Sequence, residues 1–164
     1  MTDLYINLLS RALDGERVGE AHPAFITVIS QLAPDEVIFV RELSIADHRL
    51  VIKVDDNWPT PSAEQIPKVF DDLGMSTELV EKANAILFQY LALSQPELFR
   101  VFLEHLNHLG LVEYTNDPSN EGDYKMIRPK KGDPRLIFIR LTSFGRLFYQ
   151  ACISGTADKP RSER

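Results

Sequence analysis

The sequence predicts an α+β chain that is mostly helical. Three observations lead there. Apolar residues recur at helical spacing through several segments, strict alternation is confined to short runs near residues 48–54 and 136–141, and breaker-rich stretches separate them. With 164 residues, 44% of them apolar, the chain suffices for one domain with a proper core and is short for two large ones.

In order, "DLYINLLSRAL" puts Leu4, Leu8, Leu9, Ala12 and Leu13 on one helical face, and "AFITVISQL" does the same with Phe25, Ile26, Ile29 and Leu32. "APDEVIFVREL" opens on Pro34 followed by Asp35 and Glu36, the composition of a first helical turn. "HRLVIKV" then alternates Leu50, Ile52 and Val54 with Val51 and Lys53, so a helix passes into a short strand. "STELVEKANAILFQYLAL" starts on a Ser/Thr cap and carries Leu79, Val80, Ala83, Ile86, Leu87 and Tyr90 at helical spacing, which predicts the longest helix. Pro96 suits another first turn; Leu98, Phe99, Phe102, Leu103, Leu106 and Leu109 follow on one wide apolar face, and Gly110 stops the helix as a left-handed residue. "LVEY" and the alternating "RLIFIRL" are two strands, and Thr142 can cap a last helix that carries Cys152 on its buried side with Leu141, Phe144 and Phe148.

From Pro34 to Cys152 the order is helix, strand, helix, helix, strand, loop, strand, helix. That is a winged-helix-like domain, with the loop from Thr115 to Pro134 as its wing and two N-terminal helices before it. The boundaries are one domain over 1–155, comprising N-terminal helices in 2–32 and a winged-helix-like part in 34–153, then a flexible tail over 156–164. "YINLLSRALD", "HPAFITVISQLAPDEV", "FLEHLNHLGLVEY" and "LTSFGRLFYQAC" resemble the abortive-infection alpha protein family. The resemblance touches both ends of the chain and skips Leu43 to Leu93. It implies a bacterial protein linked to phage defence, and it implies no reaction, because the family has no established catalytic residues to carry over. Members usually continue upstream of the "LLSRAL" block, so it also implies a domain fragment or a short member.

Charge narrows the function further. The net charge is −6, and residues 1–90 hold 7 Lys plus Arg against 15 Asp plus Glu, whereas 91–164 hold 11 against 9. The overall field therefore repels nucleic acid and anionic membrane. Lys125, Arg128, Lys130, Lys131 and Arg135 in the wing are the one positive cluster, diluted by Asp117, Glu121, Asp123 and Asp133; such a loop usually reads as a solvated tip, and these are the residues through which a nucleic-acid or partner contact would otherwise run. Trp58, between Asn57 and Pro59, either plugs the core or anchors a partner. The single cysteine cannot form an internal disulfide, and no leader or long apolar run is present, so the chain reads as cytoplasmic with no membrane contact of its own.

No constellation names an enzyme. "IPKVFDDLGMSTELVEKANAIL" imitates a helix-turn-helix around Gly74, but Phe70 stands where a small residue belongs, and Glu78 and Glu81 would face phosphates. His105 and His108 lie one turn apart beside Glu104, too few for a metal site, and read as a solvated helix face. The acids at Asp35, Glu36, Asp55 and Asp71 are explained by helix starts and turns. The expectation is a non-enzymatic protein-interaction domain with no catalytic, metal or cofactor residues and an unidentified protein partner. A homodimer through the terminal helices is open to it. The alternatives are a winged-helix DNA-binding regulator, with DNA the weaker partner, and a hydrolase lacking any recognisable nucleophile and base.

Overall fold

The computed structural model describes residues 1–45, 49–52, 71, 93–115 and 136–154. Three helices come first: α1 (Thr2–Leu13), α2 (Ala24–Gln31) and α3 (Pro34–Ser44), with a 3₁₀ turn over Val18–Glu20 between α1 and α2. Strand β1 (Arg49–Ile52) follows. A 3₁₀ turn at Pro96–Leu98 leads into α4 (Phe99–His108), then come β2 (Val112–Thr115), β3 (Leu136–Leu141) and α5 (Ser143–Phe148), which widens into a π-helical turn over Tyr149–Ile153. The chain is α+β and mostly helical.

The strands form an antiparallel sheet in the order β1-β3-β2, so the last strand lies at the centre. Leu50 pairs with Phe138 on one side, and Tyr114 with Ile139 on the other. The central position of β3 suits its sequence: Ile137, Phe138 and Ile139 are all buried, a continuous apolar run covered on both faces. Around it α3 contributes Phe39, Val40 and Leu43, α4 contributes Phe99, Phe102, Leu103 and Leu106, and the last helix contributes Phe148, Ala151 and Cys152. Phe39 stacks on Phe99 with ring centroids 5.1 Å apart, while Phe25 meets Phe148 edge-on at 5.3 Å. Such geometries fit the ring quadrupole.

Two glycines set the joint between α4 and the sheet. Gly110 has φ +73°, the left-handed residue expected after α4, and lets Leu111 donate its N–H to the Leu106 carbonyl at 3.0 Å. Gly145 sits in the first turn of α5, where a Cβ would lie 2.0 Å from the Leu111 carbonyl oxygen. Only hydrogen fits there. Thr142 completes the joint: its hydroxyl donates to the Gly110 carbonyl at 2.6 Å and accepts from the Gly145 N–H at 2.9 Å, as an N-cap should.

Two amphipathic faces differ from the expectation. In α1 the buried stripe is Leu4, Leu8 and Arg11, while Leu9 and Leu13 face outward. The reason is Arg11, whose side chain is needed inside (below) and which shares a stripe with Leu4 and Leu8 at seven and three residues' distance. In α2, Val28 packs inward beside Phe25 and Ile29, and Ile26 is exposed. The predicted helix over Ser76–Leu93, the Asp55–Pro67 loop, most of the wing and the tail lie outside the described residues, apart from Leu93, which is buried. Among the described residues no helix is long and apolar enough to cross a membrane.

Candidate functional site

Two polar clusters are buried among the described residues, besides Arg49, whose Nε donates to the Glu42 carbonyl at 3.2 Å. The first joins α1 to the end of the last described helix. Arg11, 4% exposed, donates from Nε to the Ala151 carbonyl at 2.8 Å and from Nη2 to the Ser154 carbonyl at 2.9 Å, and its Nη1 meets Glu20 Oε2 at 2.7 Å. One turn earlier Asn7 donates from Nδ2 to the Cys152 carbonyl at 2.9 Å. The physical need is plain. A helix leaves its last carbonyls without intrahelical partners, and burial of that end makes each one costly unless something donates to it. The guanidinium fork supplies several donors in one plane, and a cation beside a helix C-terminus is favoured by the dipole. Arg17 reaches Glu20 as well, at 3.0 Å, so the carboxylate is shared by two arginines.

The second cluster lies where the start of α3 meets α4. Glu36, 2% exposed, accepts from the Ala33 N–H at 2.8 Å through Oε2, while Oε1 lies 2.6 Å from Nδ1 of His105. Beside it Asp35 accepts from the N–H groups of Ser94 and Gln95 at 3.1 and 2.9 Å. Burial pushes the Asp35 carboxyl up, but these backbone donors and the Ser94 hydroxyl outweigh it and hold the group below the usual carboxylate range. Asp35 and Glu36 thus do serve as first-turn acids, and they also tie the start of α3 to α4 and the turn that precedes it.

The histidine face of α4 is therefore corrected. His105 is half-buried and paired with a core carboxylate, whereas His108 is exposed. The sequence carried no local sign of this, since Glu36 and His105 are 69 positions apart. Arg11 had a faint one, a cation at the spacing of Leu4 and Leu8 in a helix otherwise short of charge. His22 packs against Phe25 and Phe144, and among the described residues no three His, Cys, Asp or Glu side chains converge to hold a metal. Cys152 is buried as expected, and burial pushes its thiol up to about 12, which makes it inert as a nucleophile. Lys125, Arg128, Lys130, Lys131, Arg135 and Trp58 lie outside the described residues.

These buried charges serve the protein's own backbone. Arg11, Asp35 and Glu36 each satisfy peptide groups, and what they define is a helical α+β scaffold whose first helix is clasped to the last described one. The chain belongs to the abortive infection alpha family, whose sequence profile matches residues 1–152. No curated protein and no solved structure shows a significant match.

Proposed function

We propose that this chain is a cytoplasmic, non-enzymatic protein-interaction domain with a winged-helix-like fold, acting in bacterial abortive infection, the defence in which an infected cell stops phage propagation. The family match over 1–152 carries the defence role. The winged-helix reading is supported by the element order and by the β1-β3-β2 sheet, with a helix before β1, one before β2 and one after β3. Interaction is favoured over catalysis by the fate of the buried ionisable groups among the described residues: Arg11, Asp35, Glu36 and Arg49 are bound to backbone groups, and the Cys152 thiol is held protonated. Groove reading by α4 is disfavoured because its exposed Arg100 is held by Glu104 at 2.8 Å.

The test is deletion of the natural gene in its host followed by phage challenge, with the gene restored from a plasmid. The expected result is a larger phage yield on deletion, reversed on restoration, with a protein partner recovered in stoichiometric amount from infected cells. Unchanged phage yield across a panel of phages, or a purified protein that turns over nucleic acid or nucleotide, contradicts the proposal.

A further inference from the structure

Of the nine large apolar side chains that stand exposed among the described residues, six fall between Met1 and Ile26. Three of these are on α1, namely Ile6, Leu9 and Leu13, at 54%, 59% and 86% exposure. At 3.6 residues per turn they lie about 180° around the helix from the stripe of Leu4, Leu8 and Arg11 that faces the core. The helix is therefore apolar on two opposite sides. Their spacing, three residues and then four, is that of a seam built to pack against another helix.

Charge selects what that helix can be. The exposed acids nearest the outer stripe are Asp3, in the first turn of α1, and Asp14 and Glu16, just past its end. The two nearby cationic side chains are engaged elsewhere: Arg11 is buried, and Arg17 holds Glu20 at 3.0 Å. A second copy of this chain would oppose like charges in either orientation. Antiparallel helices would set Asp3 against Asp14 and Glu16 of the other copy, and parallel ones would set each acid against itself. An anionic membrane surface is repelled for the same reason.

We propose that the outer face of α1 docks a helical segment of a partner protein whose apolar stripe is flanked by lysine or arginine at both ends. This deepens the interaction-domain reading, on which it rests, by giving it a surface and a partner chemistry. It leaves the inner face of α1, and with it the Arg11 clasp, undisturbed.

The probe is a fluorescent synthetic peptide of about three heptads with Leu at the seam positions and Lys beside them. Its controls are one peptide with Glu for Lys and one with Ser for Leu. Each is titrated into the whole chain and into I6Q/L9Q and D14N/E16Q, whose folding is verified by thermal melting. The expected result is saturable binding of the Leu/Lys peptide alone, at least about tenfold weaker to I6Q/L9Q and severalfold weaker to D14N/E16Q. Binding that I6Q/L9Q leaves unchanged overturns the proposal, because it would be charge attraction only. So does failure of the Leu/Lys peptide to bind, or a concentration-dependent dimer in sedimentation that I6Q/L9Q abolishes. These results are separable from the phage challenge: loss of the surface with protection intact removes this proposal alone, and a verified surface without protection removes only the defence role.

Discussion

Arg11 Nε donates to the carbonyl of Ala151 at 2.8 Å, linking the first helix to the last across 140 positions of sequence. The bond is buried and belongs to a set in which the same guanidinium also holds Ser154 and Glu20. Removing the side chain leaves buried carbonyls without donors, while Glu20 keeps partial access to water and to Arg17.

Arg11→Ala should therefore lower stability by about 2–4 kcal/mol, measured by urea denaturation. Arg11→Lys should recover little of it, because an ammonium lacks the planar fork needed to reach Ala151 and Ser154 together. A lysine variant as stable as the parent would show that charge alone, and not the fork, closes the clasp.

The two glycines of the α4–sheet joint should respond differently. Gly145→Ala places a methyl 2.0 Å from the Leu111 carbonyl oxygen, which is backbone and cannot step aside, so we expect loss of more than about 3 kcal/mol or failure to fold. Gly110 has open space around it and a φ of +73°, so Gly110→Val costs only conformational strain, more than about 1 kcal/mol. Gly110→Asn should be milder than Gly110→Val. Melting temperatures of the variants check the ranking.

Glu36 holds the start of α3 and ties it to α4 through two oxygens. Glu36→Leu should destabilise by about 1–3 kcal/mol, since it removes the acceptor of the Ala33 N–H and strips His105 of its partner. Glu36→Gln keeps an acceptor for Ala33 and should cost less. Equal stability of the leucine variant in chemical denaturation would mean that packing alone fixes the start of α3.

The Cys152 thiol gives a pH dependence of definite sign. Folding raises it from 9.0 to about 12 through burial, so between those values the unfolded chain has lost a proton that the folded chain retains. Stability is unaffected below about pH 9 and falls above it by about 1.4 kcal/mol per pH unit until about pH 12. Cys152→Ala lacks this contribution, and the difference between the two proteins in denaturant midpoint from pH 8 to 10.5 isolates it. At pH 8 a thiol reagent should label the parent only after denaturant is added.

Random duplex DNA should bind no more tightly than the non-specific range, roughly 10⁻⁴ to 10⁻⁶ M near 150 mM salt by fluorescence anisotropy. On the described surface two cations are matched locally: Arg100 lies 2.8 Å from Glu104, and Arg140 lies 2.5 Å from Glu113 on the neighbouring strand. Few counterions can be released there. Submicromolar, sequence-dependent binding abolished by charge reversal at Arg100 would reinstate the regulator. Binding lost only with Lys130 and Lys131 would be a wing contact to the backbone.

Local signals were the legible ones. Pro34 with two acids, the Thr142 cap and Gly110 each act within a few residues, and each stands where its own chemistry demands. The alternating runs placed β1 and β3 to within two residues at either end, since period two is a property of the chain itself. The deviations arose in helices with apolar residues on more than one side. In α1, Leu8 and Leu9 are equally hydrophobic, and nothing local distinguishes the inner from the outer one.

For the described elements the sequence by itself determined type and order, the helix starts at Pro34 and Thr142, the stop at Gly110, and the family, because propensity, periodicity and short-range hydrogen bonding are written over spans of a few residues. The tertiary structure alone decided which face of α1 turns inward, that Arg11 closes on Ala151, and that His105 answers Glu36. Those choices depend on where a buried carbonyl or carboxylate from a distant segment arrives without a partner. The cost of leaving it unpaired then selects the one side chain within reach.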